Sequence, residues 1–221
     1  MKKKLCIIVF ALACFITILM AAVEIAVYDK TFFMNEAAQN DVSANTGLTT
    51  EEISQVTDEI FNYLKGSRDD FDITIKRGIG VIHLFNQDEC DHMVDVANLM
   101  VLQRILLVVG LITSLILGGC LYRKDSKAFF TGLMASGIGG IIALILATII
   151  ASNGFTAVFV ALHRLIFTNE LWIMDPATEV LINIVPEPYF IHLALYAGIL
   201  TAMGCVILVL TGFIFRKKTV K

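Results

Sequence analysis

Four histidines carry most of the chemistry this 221-residue sequence could perform. His92 lies in Asp88-Glu89-Cys90-Asp91-His92-Met93-Val94-Asp95, which reads as the polar start of a helix. Asp95, three residues on, and Asp88, four residues back, share its helical surface. A carboxylate beside an imidazole fixes the tautomer and stabilises the protonated ring, which is what a general base needs. The competing reading is a solvated histidine just above a membrane. His163 lies in Ala161-Leu162-His163-Arg164-Leu165-Ile166-Phe167, where a histidine–arginine pair interrupts an apolar surface. Ionisable groups in such places are costly and often functional. The bland alternative is an interfacial side chain reaching for headgroups. His83 fits an alternating strand and His192 the head of the last apolar block, so both are weaker candidates.

Other constellations score poorly. There is no Gly-x-Ser-x-Gly elbow and no His-Glu-x-x-His motif. The carboxylates around His92 lack a second ligand-bearing helix, so neither a metal nor another cofactor is expected. Five cysteines form no disulfide or metal framework, since Cys6, Cys14, Cys120 and Cys205 fall in or at the ends of apolar blocks. Cys90 is two residues from His92, which on a helix turns it away from any shared site. Glu24, near the end of the first apolar block, could join a polar site or meet water.

These residues must be positioned by a membrane-spanning chain. Of the sequence, 57% is apolar and 17% charged, against about 25% charged in soluble domains. The apolar residues form four blocks, Leu5–Val27, Leu99–Tyr122, Ala128–Ala151 and Ile191–Phe215, each of 23 to 25 residues. A spanning helix needs about 20. A soluble enzyme, a disordered chain and a nucleic-acid binder are excluded. The first block runs too far past Ala11-Leu12-Ala13-Cys14 to suit a cleaved signal, so it is expected to be a retained helix. Three basic clusters flank the blocks: Lys2, Lys3 and Lys4; Arg123, Lys124 and Lys127; Arg216, Lys217, Lys218 and Lys221. All three belong on the cytoplasmic side. Residues 28–98 hold 14 acids against 5 bases, and residues 152–190 hold 4 acids against 1 base. These segments lie outside, which gives four spans with both termini inside.

The expected organisation is one membrane domain over 1–221, with an extracytoplasmic cap at 28–98 and an outer interfacial segment at 152–190. Gly132, Ser136 and Gly140, and likewise Ala194, Gly198 and Ala202, recur every fourth residue and predict helix–helix faces. Gly137-Ile138-Gly139-Gly140 follows no strand and belongs to packing, not phosphate binding. In the cap, Thr49-Thr50-Glu51-Glu52 predicts a capping box, with Gly66 ending the helix. Alternation from Phe71 to Ile75 and from Val81 to Phe85 predicts a short hairpin. Phe155 to Phe167 is apolar but too short to span, and reads as an interfacial or re-entrant helix with Trp172 as an anchor. Asp175-Pro176 has the form of another N-cap and first-turn proline.

Two stretches carry a resemblance. His92-Met93-Val94-Asp95-Val96 at the head of the second span, and Leu162-His163-Arg164-Leu165-Ile166-Phe167 after the third, resemble the signatures of the lipoprotein intramolecular transacylases of Gram-positive bacteria. Trp172, Asp175-Pro176 and Pro186-Glu187 follow in a similar order. The resemblance implies an all-α, four-span enzyme of the cell membrane with its site on the extracytoplasmic side. It would move the sn-2 acyl chain of a lipoprotein's S-diacylglyceryl group onto the α-amine of the N-terminal cysteine, giving the lyso-form. Its catalytic residues carry over as His92 and His163. Asp95, Arg164 and Glu24 are candidates for supporting or substrate-binding roles. The implied partners are diacylglyceryl-modified lipoproteins and membrane lipid. Two other classes stay open at this point: a non-enzymatic tetraspan sensor or accessory protein, and an acyltransferase or esterase acting on phospholipid.

Overall fold

The computed structural model describes residues 2–218; Lys221 of the C-terminal basic cluster lies outside them. The elements run in the order α1 (Lys2–Val27), α2 (Lys30–Gln39), α3 (Val42–Thr46), α4 (Thr50–Lys65), β1 (Thr74–Arg77), β2 (Gly80–His83), α5 (Gln87–Lys124), α6 (Ser126–Ser152), α7 (Phe155–Ile166), α8 (Leu181–Ile184) and α9 (Glu187–Lys218). Helices α1, α5, α6 and α9 are long and apolar enough to cross a membrane, and they contain the four apolar blocks. Helix α7, at 12 residues, is apolar but too short to do so.

Local chemistry explains most boundaries. Thr49 Oγ1 accepts from the Glu52 amide at 3.1 Å, and Glu52 Oε2 accepts from the Thr49 amide at 2.8 Å. This reciprocal cap satisfies two amide donors at the start of α4. Gly66, at φ 77°, ends that helix in a conformation that penalises a side chain. The hairpin pairs Ile75 with Ile82 and Arg77 with Gly80, turning through Gly78 at φ 63°. It is shorter than the alternation predicts: Phe71 and Phe85 fall outside the strands and stack on each other at 4.8 Å in a hydrophobic core.

Asp175-Pro176 departs from expectation. The Asp175 carboxylate accepts from the Ala177 amide at 2.9 Å, and the segment forms a turn, with α8 beginning only at Leu181. An Asp-Pro pair opens turns as readily as helices when no apolar periodicity follows it.

The chain forms two compact units. One comprises residues 1–26, 103–153 and 195–221. Its predicted stripe on α6 is used: a Cβ on Gly132 would lie 2.5 Å from the Phe10 ring, and one on Gly140 would lie 2.5 Å from Cys205 Sγ. The predicted stripe on α9 is not. Ala194 is exposed and a Cβ on Gly198 would meet nothing within 4 Å. The packed face instead carries Ala197, Thr201 and Cys205, the last two fully buried. Thr201 fits because its hydroxyl donates to the Ala197 carbonyl at 2.7 Å and leaves no polar demand on its neighbours. Threonine and cysteine serve as small contact residues alongside alanine and glycine, so spacing alone chose the wrong face by one residue.

The other unit comprises residues 27–102 and 154–194. Its core gathers Phe33, Val56, Phe61 and Ile73 from the segment after α1 with Leu181 and Tyr189 from the segment after α6. Helices α2 and α3 were not anticipated, because they carry weak periodicity and short caps. Glu89 is buried and joins the two segments. Its Oε2 accepts from the Asn86 amide at 2.7 Å and its Oε1 from the Leu181 amide at 2.6 Å. Both carboxylate oxygens are thereby satisfied, so the buried charge is not wasted. The first turn of α5, and with it His92, is fixed by this carboxylate.

Candidate functional site

The site lies in the second unit, between the start of α5 and the end of α7. His92, three residues after Glu89 on α5, is 8% exposed. Its ring meets Phe167 at 5.4 Å between centroids, and His163 meets the same phenyl ring at 5.5 Å. Two imidazoles from segments about seventy residues apart thus flank one aromatic ring. The sequence named both histidines, and the fold brings them together.

The two rings are held differently. His163 Nδ1 lies 2.7 Å from the Phe159 carbonyl one turn earlier on α7. A carbonyl only accepts, so Nδ1 carries the proton and Nε2 presents a lone pair. The Phe159 ring lies 4.0 Å from the imidazole and Trp172 5.0 Å, both tilted against it, so aromatic rings wall the site. His92 Nδ1, in contrast, is buried with no hydrogen-bond partner. Burial is the first cause that holds this imidazole below its ordinary pKa of 6.5; the neighbouring His163 pushes the same way, and Asp95 opposes them. His92 precedes the apolar stretch of α5, and at neutral pH it is uncharged.

The expected support from Asp95 takes another form. Its Oδ2 accepts from Asn169 Nδ2 at 2.8 Å, and it makes no hydrogen bond to His92. The loop after α7 supplies a competing donor, which no local spacing could reveal. Arg164, next to His163, is exposed, about 100° around the helix from it. Glu24 belongs to the other unit, where its Oε1 accepts from Arg104 Nε at 3.2 Å. Cys90 packs against the core, and its thiol is pushed up first by burial and then by Asp72, Glu89, Asp91 and Asp70. A thiol in negative surroundings stays protonated and is a poor nucleophile. Among the described residues, no three histidine, cysteine or acidic side chains are grouped to hold a metal ion.

Residues missed at the outset are Asn169, Phe167 as the shared ring, and Phe159 as the carbonyl that orients His163. Phe167 stands in the quoted stretch, but nothing in its type marks it. Asn169 had a faint signal as a polar residue following an apolar helix.

Four long apolar helices make this a multi-pass membrane protein, and two of its imidazoles meet one aromatic ring. The family model of the lipoprotein intramolecular transacylase Lit matches residues 8–190, and the chain belongs to that family. It is therefore an acyltransferase that acts on lipoproteins. Three solved structures of the membrane-integral Lit from Bacillus cereus share the fold. One is 23% identical with a TM-score of 0.84, covering 100% of this chain and 99% of that one. A variant with a histidine replaced by alanine is 23% identical, TM-score 0.79, covering 100% and 96%. Another with histidine replaced by arginine is 24% identical, TM-score 0.76, covering 99% and 94%. No curated protein matches the sequence. The sensor and phospholipid readings give way to the transacylase.

Proposed function

We propose that the protein transfers the sn-2 acyl chain of an S-diacylglyceryl lipoprotein to the α-amine of its N-terminal cysteine, with His163 as base and His92 as hydrogen-bond donor. The observation that carries this reading is the pair of differently held imidazoles on Phe167.

An α-amine has a pKa of about 7.7–8.0, so at neutral pH most of it is protonated and cannot attack. His163, with Nδ1–H committed to the Phe159 carbonyl, offers Nε2 to take a proton from the amine. The N–C bond forms at the ester carbonyl and the C–O bond to the glycerol sn-2 carbon's oxygen breaks. One ester is consumed, one amide is made, no water enters, and the amine proton ends on the sn-2 hydroxyl. In this reading the unpartnered Nδ1 of His92 is the unprotonated nitrogen. His92 then carries its proton on Nε2 and stays neutral, suited to donate to the developing oxyanion or the leaving oxygen. A donor of this kind contributes about 10²–10³-fold. Amine and ester belong to one substrate molecule, so holding them together supplies much of the rest. No acyl-enzyme is needed.

Both termini are cytoplasmic in this reading and the histidines act on the extracytoplasmic face, as the basic and acidic segments suggest. Asp95 is held by Asn169 and acts on His92 only through its charge, while Arg164 is available to lipid headgroups. Glu24 is left to its pairing with Arg104. The test is incubation of purified protein with a diacylglyceryl lipopeptide, followed by mass spectrometry of the N-terminus. An N-acylated, monoacylglyceryl product is expected. Release of free fatty acid without N-acylation would overturn the proposal in favour of an esterase.

A further inference from the structure

Asp95 follows His92 by three residues on α5, where side chains on a helix surface meet. A buried ring nitrogen without a partner and a carboxylate that close would be expected to pair. They do not: Nδ1 of His92 has no partner, and Asn169 Nδ2 donates to Asp95 Oδ2 at 2.8 Å. Asn169 is itself held at two points. Its Oδ1 accepts from the Leu171 amide at 3.2 Å, and its main-chain carbonyl accepts from the Trp172 indole at 3.0 Å. Trp172 is the same ring that walls His163. The amide of Asn169 is thus aimed by the loop that builds the site.

We propose that Asn169 is a positioning residue: its amide keeps the Asp95 carboxylate off Nδ1 of His92 and so decides which ring nitrogen of His92 carries the proton. The inference rests on the donor role given to His92 above. Were Asp95 to reach Nδ1, it would select the Nδ1–H form, and Nε2 would present a lone pair where the reaction needs an N–H. The carboxylate would also favour the imidazolium. With Asp95 held on the loop, His92 keeps Nε2–H without a charge. The groups acting electrostatically on this imidazole are His163 from α7 and Asp95 from α5 itself. Releasing Asp95 therefore changes the opposing member of that pair.

The test combines nitrogen NMR of histidine-labelled protein with pH-dependent turnover of a diacylglyceryl lipopeptide. In the wild type, Nδ1 of His92 should be unprotonated and Nε2 protonated. The opposite tautomer would overturn the proposal without any variant being made. Asn169→Leu should invert the tautomer and lower kcat about tenfold at neutral pH, where the neutral ring lacks Nε2–H, the relative loss shrinking toward acid pH as the imidazolium regains it. KM should stay within about twofold, since the amide is not placed on substrate. Adding Asp95→Asn to Asn169→Leu removes the carboxylate that would capture the ring, and should return both the tautomer and kcat. A loss of activity equal at every pH, with the wild-type tautomer retained, would make Asn169 a prop for the loop and nothing more. A tautomer switch in protein that fails to turn over lipopeptide would support the positioning role and overturn the transacylation reading alone.

Discussion

Within the second unit, two histidine centres are built in opposite ways. At the junction of α2 and α9, His192 Nδ1 lies 2.7 Å from Glu36 Oε2, a carboxylate only 5% exposed. The Asn40 amide donates to the Glu36 carbonyl at 2.8 Å, and burial and then Glu36 push the Tyr189 hydroxyl far up. This is the carboxylate–imidazole pair that spacing suggested for His92. It joins residues 156 positions apart and ties the head of α9 to the cap helix. At the other centre neither His92 nor His163 bonds a carboxylate; one ring leans on a carbonyl, the other on nothing, and aromatic faces hold both. An imidazole bonded to a buried carboxylate is committed to the fold. An imidazole positioned by shape keeps a nitrogen for chemistry.

Substitution sharpens that contrast most. His163→Ala and His92→Ala should each cut conversion to the lyso-form by about 10²–10⁴-fold with membrane insertion intact. His192→Ala should cost less than about tenfold in kcat, because its role is to hold α9. Equal losses at all three positions, read by mass spectrometry, would erase the distinction.

Removing a partner should separate stability from activity. Glu36→Leu leaves His192 without its acceptor and should destabilise the protein by about 1–3 kcal/mol, seen as a lower midpoint in thermal unfolding. Its kcat at a permissive temperature should change little. A stable variant that loses turnover would place Glu36 in the chemistry instead.

The pH dependence follows from burial. His92 takes a proton less readily in the folded protein than at its ordinary 6.5. The unfolded chain therefore binds more protons between the two values, and stability falls as pH drops below 6.5 toward the folded value. Above 6.5 the contribution is fully present. His92→Asn should flatten the slope of unfolding free energy against pH in that window. A slope unchanged in the variant would mean that another group titrates there.

The smallest effect is expected at Cys90. Cys90→Ala should change kcat by less than about threefold, since the thiol faces the core and stays protonated. A large loss, with trapped thioester, would replace direct aminolysis by a covalent route.

Much of this was legible in the chain. The four apolar blocks, the Thr49 cap, the Gly66 stop and the Gly132–Gly140 stripe each depend on residues close in sequence, and each is used as read. The face of α9 was misread because Thr201 and Cys205 pack as tightly as the expected glycine and alanine. The Asp175-Pro176 turn was misread because the same dipeptide serves both turn and helix. At the site, His92 stood out as an imidazole among carboxylates and His163 as an ionisable group in an apolar surface, whereas Asn169 and Phe167 did not, being ordinary residues in ordinary company.

By itself the sequence determined what periodicity and local valence control: which segments cross a bilayer, where helices begin, and which side chains can move a proton. Tertiary structure alone decided the partners. Asp95 sits three residues from His92 yet bonds Asn169, 74 positions away, and Glu36 finds His192 across most of the chain. A hydrogen bond depends on where donor and acceptor come to lie in space, and for long-range pairs that is fixed only when the core around Phe61, Ile73 and Tyr189 closes.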